Sequence, residues 1–510
     1  MPRPMNAPAP AEPPAADPSP SRRFALLLAL VCTVPLWFSL PSLRDPFGQS
    51  EEAVNATIWG LGARNLISKG PVEARLGALV SPYPGAGPRE GIYAHHPPLP
   101  VWLSTLVQLF GDGEAGPRLA ALAAAGLALL LLFRLLQLFT SDGLALSVTA
   151  AIATCPYVLV YGRMLTTLTL ATPLFLHALT VALRRGLLGE RWRWTLPVTL
   201  AALVLSSWDG VIGAGAVALY LAGVELRAPR EGESRSWSRA LVPGLVVAVA
   251  VALVGAYLVW ANGGAEALVW QFRYRAGPAV GRAEWLRKQL GFVSEGLGWA
   301  TLVVIVGSPF WLARFGWPRG LLAALCLCAL PGMAMLLVFR QGADRHPFWA
   351  YNLILPAACA LAAALHLAAR RPRLFTALLV LLGAQAAVGF RLAGEQLARE
   401  RVLNARGALL RDYFSAHPVT AVRFVSVYNF FPFASWYVRV PIEVVPSVAA
   451  FREKLAAGSW PGDGPIVVDL ELAKKAGCAP FPTEAESPER RWAIAQAWVV
   501  DAACGGAKSP

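Results

Sequence analysis

From residue 24 to residue 392 the sequence alternates apolar blocks near 20 residues long with clusters of arginine, and this leaves it few ways to fold. A helix of about 20 residues rises about 30 Å, the thickness of a bilayer's hydrocarbon core. Only helices and closed barrels satisfy every backbone hydrogen bond in that medium. The blocks are 24–43, 117–139, 143–161, 165–183, 194–208, 210–226, 240–261, 298–313, 319–339, 349–369 and 373–392. The expected fold is a polytopic α-helical membrane protein with about 11 transmembrane helices, one per block. Composition agrees: 56% of residues are hydrophobic and 15% charged, against about a quarter charged in ordinary globular chains. That excludes the two or three soluble domains that 510 residues would otherwise allow.

The net charge of +14 does not point to nucleic acid. Lys and Arg sit at the ends of apolar blocks and are not interleaved with aromatics, which fits cytoplasmic loops and anionic membrane lipids. Arg184, Arg185, Arg191 and Arg193 share one loop, and Arg227, Arg230, Arg235 and Arg239 another. Arg314 with Arg319, and Arg370, Arg371 and Arg373, fall in two more. All four loops are cytoplasmic if 24–43 runs outward and 117–139 returns. Segment 97–112 must then not cross; it is short, opens with Pro97-Pro98, and is expected to lie in the outer interface.

This topology describes a multi-pass protein of the inner (plasma) membrane, with its N-terminus cytoplasmic. Residues 1–23 begin as a Pro-, Ala- and Ser-rich tail expected to be disordered, and 24–43 reads as an uncleaved signal anchor. Residues 24–392 form the membrane domain, with a large outer loop at 44–116. Charges return over 393–510, where Val422–Val427, Ile442–Val445 and Ile466–Leu470 read as strands and 447–457 and 471–476 as helices. This is expected to be a small α/β domain outside the cytoplasm. Five of the seven cysteines lie in apolar blocks and read as core residues. Cys478 and Cys504 share the C-terminal domain and are expected to be able to pair in an oxidising compartment.

Chemistry concentrates in the first outer loop. Asp45, Glu51 and Glu52 lie just past the first membrane helix, where a carboxylate can serve as general base on a hydroxyl brought in from water. The competing reading has Ser50 cap a helix and the glutamates complement its dipole. His95 and His96 suit phosphate binding or acceptor orientation, but an adjacent pair lacks metal-site spacing, and a packing role competes. His346 falls on the same side of the expected topology, as do Arg163, Arg273, Arg275 and Arg345. Arginines suit bidentate phosphate contacts, and snorkelling to lipid headgroups is the alternative. Asp209 sits between two short apolar blocks, either a functional group or a solvated turn residue. No carboxylates cluster as a divalent-ion site would need, so no metal or other cofactor is expected.

The order of these motifs resembles the GT-C class of polyprenyl-phosphate-sugar-dependent glycosyltransferases. Acidic residues open the outer loop, Ala63-Arg64-Asn65 follow, and Tyr93-Ala94-His95-His96-Pro97-Pro98-Leu99 precedes a short helix. Arg118-Leu119 then opens a crossing, and His346-Pro347-Phe348-Trp349 leads to Leu355-Pro356 and a late helix. The bacterial branch with the lipid A aminoarabinose transferases and relatives of protein O-mannosyltransferases is the most similar. The resemblance implies a sugar donor on a polyprenyl phosphate and a hydroxyl acceptor (lipid, glycan or protein) on the outer face. It also implies transfer with inversion. It places the base on an acidic residue early in the first outer loop, usually an Asp followed by Glu. The matching pair here is Glu51-Glu52, and its gap to Ala63-Arg64 is about one helical turn longer than in the family pattern. The base is therefore Glu51, Glu52 or Asp45. Donor and acceptor contacts are expected from Arg64, Tyr93, His95, His96, Arg163, Arg273, Arg275, Arg345 and His346. Many members carry an acid in the second outer turn, whereas Tyr161–Thr167 here has none.

Two other functions compete with the transferase. A transporter or flippase of a lipid-linked sugar fits the many crossings and Asp209, but no internal repeat of the transporter kind is visible. A non-catalytic envelope assembly protein would use the C-terminal domain for docking.

Overall fold

In the computed structural model, the structure describes residues 22–80, 91–111, 113–227, 237–277, 280–315, 319–426, 432–460 and 464–505. Most of the N-terminal tail, Arg230 and Arg235 of one basic loop, and Val427 at the end of the first expected strand lie outside the described residues.

Each of the expected apolar blocks forms a helix. In chain order the helices are α1 (Arg22–Ser39), α2 (Glu51–Glu73), α3 (Leu99–Gln108), α4 (Ala115–Leu136), α5 (Asp142–Ala153) and α6 (Thr167–Leu188). There follow α7 (Thr195–Ser206), α8 (Trp208–Leu226), α9 (Trp237–Asn262), α10 (Glu266–Ala276), α11 (Arg282–Leu297), α12 (Trp299–Phe315) and α13 (Arg319–Val338). The last of the membrane domain are α14 (Arg340–Arg345), α15 (Ile354–Ala368) and α16 (Pro372–Ala416). Among the described residues, 8 helices could cross a membrane by length and composition, and α11 with α12, bent by 112°, would make a ninth as one broken span.

Local breaks shorten two of the expected blocks. Pro156 splits the block at 143–161, because it lacks an N–H and pushes the preceding residue out of the helical region. Helix α7 stops where Ser207 turns extended (φ −169°) and caps α8, its Oγ accepting from Gly210 N at 2.8 Å. Helices α3, α5 and α7 remain as shorter apolar helices. Segment 97–112, expected not to cross, is one of them.

The bundle has two chemically distinct ends. At one, the C-terminal turns of α6 and α8 are joined by Arg185, whose Nε donates to Glu225 Oε1 at 2.8 Å. This end carries two of the basic loops. At the other, Trp208, which opens α8, donates from Nε1 to the backbone oxygen of His95 at 2.9 Å. The His95 end of the first loop and the C-terminal ends of α6 and α8, where two of the basic loops begin, therefore lie at opposite ends, about the length of α8 apart.

Helix α16 runs unbroken from Pro372 to Ala416, straight through the expected domain boundary at 393. No proline falls within 385–400, and a buried stripe at Ala393, Leu397, Glu400, Asn404 and Gly407 keeps helical spacing beyond the apolar part. The C-terminal sheet begins only afterwards, with β1 (Val422–Val425), β2 (Ile442–Val445), β3 (Pro465–Asp469), β4 (Ala485–Glu486) and β5 (Trp492–Gln496) in the order β2-β1-β3-β5-β4. The first three strands are parallel, and β5 is antiparallel to β3 and β4. Strands β1 to β3 match the expected runs; β4 and β5 were not among them.

Alternation along the strands sends the two faces into different cores. Val422, Phe424, Trp492 and Ile494 pack with Ala53, Ala56 and Trp59 of α2, Leu410 of α16, and Trp436 of α17 (Pro432–Val438). Val425, Val468 and Ala495 face the other way, toward Phe451 and Trp460. The C-terminal sheet thus shares one core with the first loop. Cys478 and Cys504 are bonded, joining the end of the last helix to the chain after β3.

Candidate active site

The first loop is built on α2, whose N-terminus is set by Ser50: its Oγ accepts from Ala53 N at 3.2 Å. Glu51 and Glu52 therefore both sit in the first helical turn, about 100° apart, and meet different surroundings.

Glu52 points into the protein and is 1% exposed. Arg118 grips both carboxylate oxygens, Nε to Oε1 at 2.9 Å and NH2 to Oε2 at 3.0 Å, and Arg163 NH2 adds a third contact at 3.3 Å. Burial alone would raise the Glu52 pKa, but Arg118, then Arg163, overcome this and hold it below the ordinary carboxylate value. Arg163 also donates to Glu400 Oε2 at 3.1 Å and to Ser42 Oγ at 2.5 Å. The chain Arg118–Glu52–Arg163–Glu400 is thus a buried ion network tying α4, α2, the 161–166 turn and α16 together. Arg118 also donates to the Leu43 and Asp45 carbonyls at 2.9 and 2.6 Å.

Glu51 is half-exposed and opens into a cavity of about 450 Å³, lined also by Tyr157, Tyr161, Glu295, Pro347 and Glu400. Its Oε1 lies 3.1 Å from His346 Nδ1. Asp45 is held at the edge, its Oδ2 accepting from Arg401 Nε at 2.8 Å.

A second cavity of about 440 Å³ is lined by Trp349, where the first is lined by Pro347 of the same segment. Its walls are largely apolar, with Phe339 and Trp349 among them, and His95, His96, Arg273 and Arg275 bring polar groups to it. Arg275 NH2 donates to His95 Nε2 at 2.9 Å, and its guanidinium lies 5.7 Å from the centre of the Trp349 ring. Tyr93 packs edge-on against His95 with ring centres 4.1 Å apart, and against Trp59 at 5.5 Å. Burial first, then the charges of His96 and Arg275, lower the His95 pKa well below its ordinary value. Burial and Arg275 push His96 down to about 3. Both rings are therefore neutral near pH 7. His96 Nδ1 and Arg275 Nε have no hydrogen-bond partner among the described residues. Two buried polar atoms left open on one cavity are what a bound polar group would satisfy.

The two cavities are linked through one aromatic pair. His346, bonded to Glu51, stacks on Trp349 with centres 6.4 Å apart, and Trp349 in turn lies under Arg275.

The structure separates the remaining sequence candidates. Of the four arginines expected near a phosphate, Arg273 and Arg275 line the second cavity. Arg163 is consumed by Glu52 and Glu400 instead, because its turn faces the buried network. Arg345 is exposed and lies over Tyr274 at 5.7 Å. Arg64 packs away from both cavities, over Trp436 at 4.3 Å, with NH1 donating to the Trp436 carbonyl at 3.0 Å. Asp209 is buried rather than in an open turn, and accepts from Asn352 Nδ2 at 2.5 Å.

Glu400 and Asn404 of α16 were not singled out from the sequence. The available signal is two polar residues on the buried stripe of an amphipathic helix, and the charged residues around them past 392 mask it.

No protein-family model matches the chain, and no curated protein does either. Solved structures do match. ArnT from Cupriavidus metallidurans bound to undecaprenyl phosphate aligns over 93% of this chain and 98% of its own at 15% identity, with a TM-score of 0.64. The apo state of the same protein aligns over 92% and 98% at 14% identity, with a TM-score of 0.59. The archaeal oligosaccharyltransferase AglB from Archaeoglobus fulgidus, in complex with an inhibitory peptide and a dolichol-phosphate, aligns over 93% of this chain and 74% of its own at 12% identity, with a TM-score of 0.51. At these identities the likeness is one of fold, and it is the GT-C fold that the motif order resembles.

Proposed function

We propose that this chain is an integral-membrane glycosyltransferase that moves a sugar from a polyprenyl-phosphate carrier to a hydroxyl acceptor. The observation that carries the reading is the pair of cavities linked through the 346–349 segment, with Pro347 lining one and Trp349 the other. One is apolar with two arginines and two neutral histidines, and suits a phosphate at the head of a lipid. The other holds a half-exposed carboxylate, and suits a hydroxyl.

In this reading the donor's phosphate lies against Arg275, with Arg273, His95 and His96 around it. Tyr93 braces the His95 ring. The acceptor hydroxyl lies against Glu51, which takes its proton while the oxygen attacks the anomeric carbon. The bond from that carbon to the phosphate oxygen breaks, and polyprenyl phosphate leaves with the electron pair. Attack opposite the leaving group inverts the centre. Arg275 meets charge that grows on the phosphate, so it stabilises the transition state more than the ground state. His346 orients the Glu51 carboxylate, and general-base help of this kind is worth about 10²–10⁴-fold. Glu52 keeps a structural role, since Arg118 and Arg163 occupy both its oxygens. Asp45, paired with Arg401, is second in line as base.

The site lies at the bundle end opposite the two basic loops that follow α6 and α8, which supports transfer on the outer face. The acceptor class, whether lipid, glycan or protein, follows from whichever hydroxyl enters the Glu51 cavity.

Purified protein should release undecaprenyl phosphate from undecaprenyl-phosphate-linked glucose, mannose or arabinose when a hydroxyl acceptor is present. Movement of the intact donor across liposomes, with no release, would instead establish the transporter reading.

A further inference from the structure

Glu51 follows an irregular segment, Asp45–Ser50, that has no regular structure of its own. Tyr437 and Arg118 hold its first half, through Phe47 N–H and the Asp45 carbonyl, and its last half is held by α16, a helix that arrives from more than 350 residues later in the chain. Gln49 N–H donates to the Leu403 carbonyl at 3.1 Å, and Ser50 N–H donates to Asn404 Oδ1 at 3.3 Å. Between these contacts the two backbones touch. A Cβ on Gly48 would lie 2.4 Å from Asn404 Cα, and one on Gly407 would lie 1.5 Å from the Phe47 oxygen. No side chain fits between the segment and the helix, so the register of one on the other is fixed to within a small distance.

Asn404 is 2% exposed, on a stripe whose neighbours are otherwise mostly apolar or small. A buried side-chain amide in that position costs stability unless it is bonded, and its carbonyl is spent on the backbone of the capping residue. Ser50 in turn starts α2 and so sets the direction in which Glu51 leaves the helix. Arg406 extends the clamp outward: it donates to Gln49 Oε1, and from Nε to Glu489 Oε1 at 2.6 Å, just before β5.

We propose that Asn404 is a positioning residue for the Glu51 carboxylate, and that the stretch of α16 beyond the apolar block belongs to the active site. The proposal rests on the assignment of Glu51 as the base. It gives the C-terminal region a place in catalysis through the same helix. The chemistry needs the carboxylate in line with the anomeric carbon, where an error near 1 Å can cost on the order of a hundredfold in rate.

The test uses the full-length protein in nanodiscs and two independent lesions. Asn404→Leu removes the acceptor, and Gly48→Ala forces the segment off the helix by a clash with the backbone of Leu403 and Asn404 while keeping the Asn404 side-chain amide. Val402→Ala, at an exposed position of α16, is the control. Amide hydrogen exchange over residues 46–56 needs no substrate, and should quicken by about tenfold or more in both lesions and not in the control. Unchanged exchange in Asn404→Leu would overturn the proposal. With undecaprenyl-phosphate-linked sugars as probes, kcat should fall about tenfold or more while the donor KM stays within about twofold. A loosened segment with unchanged kcat, where Glu51→Gln is inactive, would refute the positioning role and leave the function standing. Full turnover by Glu51→Gln would remove the base assignment itself, and the exchange measurement would still decide whether Asn404 holds the segment.

Discussion

Glu51 and Glu52 are adjacent, and replacing each by glutamine is expected to have opposite consequences. Glutamine at 52 keeps the shape but turns one carboxylate oxygen into an N–H₂ group facing the guanidinium of Arg118 or Arg163. Three charge-assisted contacts at 2.9, 3.0 and 3.3 Å are lost or weakened, and Arg118 is left charged and buried. Removing one partner of a buried pair costs about 3–5 kcal/mol. Arg163 keeps Glu400, so the lower end of that range applies, about 3 kcal/mol. Glu51 makes one contact with a half-exposed histidine, and such pairs are worth about 0–1 kcal/mol. Unfolding in detergent followed by tryptophan fluorescence should therefore show Glu52→Gln clearly destabilised and Glu51→Gln nearly unchanged. Transfer activity per folded molecule should fall about a hundredfold or more in Glu51→Gln alone. The sign of the pH dependence follows from the same geometry. The folded-state pKa of Glu52 is lowered from its ordinary 4.5, so its contribution is complete above that value and fades as pH falls through the lower, folded one. A Glu52→Gln protein within about 1 kcal/mol of the parent would refute this account of the ion network.

Three further outcomes are expected. Arg275→Ala should weaken binding of undecaprenyl phosphate by about 10- to 100-fold, the worth of a charge-assisted hydrogen bond, and unchanged affinity by fluorescence quenching would clear Arg275 of the role. In unfolded, unreduced protein, thiol labelling should reach Cys32, Cys155, Cys326, Cys328 and Cys359 only, with Cys478 and Cys504 appearing after reduction; labelling of these two beforehand would contradict the bond. Alkaline phosphatase fused after Ala416 should be active and a fusion within 227–239 inactive, and the reverse pattern would overturn the assignment of the site to the outer face.

Much of the membrane domain was legible because its physics is local. Whether a stretch can cross a bilayer depends on its length and apolarity alone, so every block from 24–43 to 373–392 could be located without knowing its neighbours. The motif order around Glu51, His95, His96 and His346 was also visible, as were three of the strands, which are short β-branched runs. What a single residue does depends on contacts across the chain, and the sequence left those open. Nothing in Glu51-Glu52 says which glutamate turns inward, since that follows from where Arg118 and Arg163 arrive. Likewise, four arginines of similar promise were divided by packing alone, with Arg273 and Arg275 going to a cavity, Arg163 to an ion network and Arg345 to the surface. The return of charged residues near 393 read as a domain boundary, because composition reports what surrounds a helix and not whether its backbone continues. Tertiary structure alone brought Glu400 and Asn404 of that helix to the start of α2, a contact between segments too far apart in sequence for any local pattern to encode.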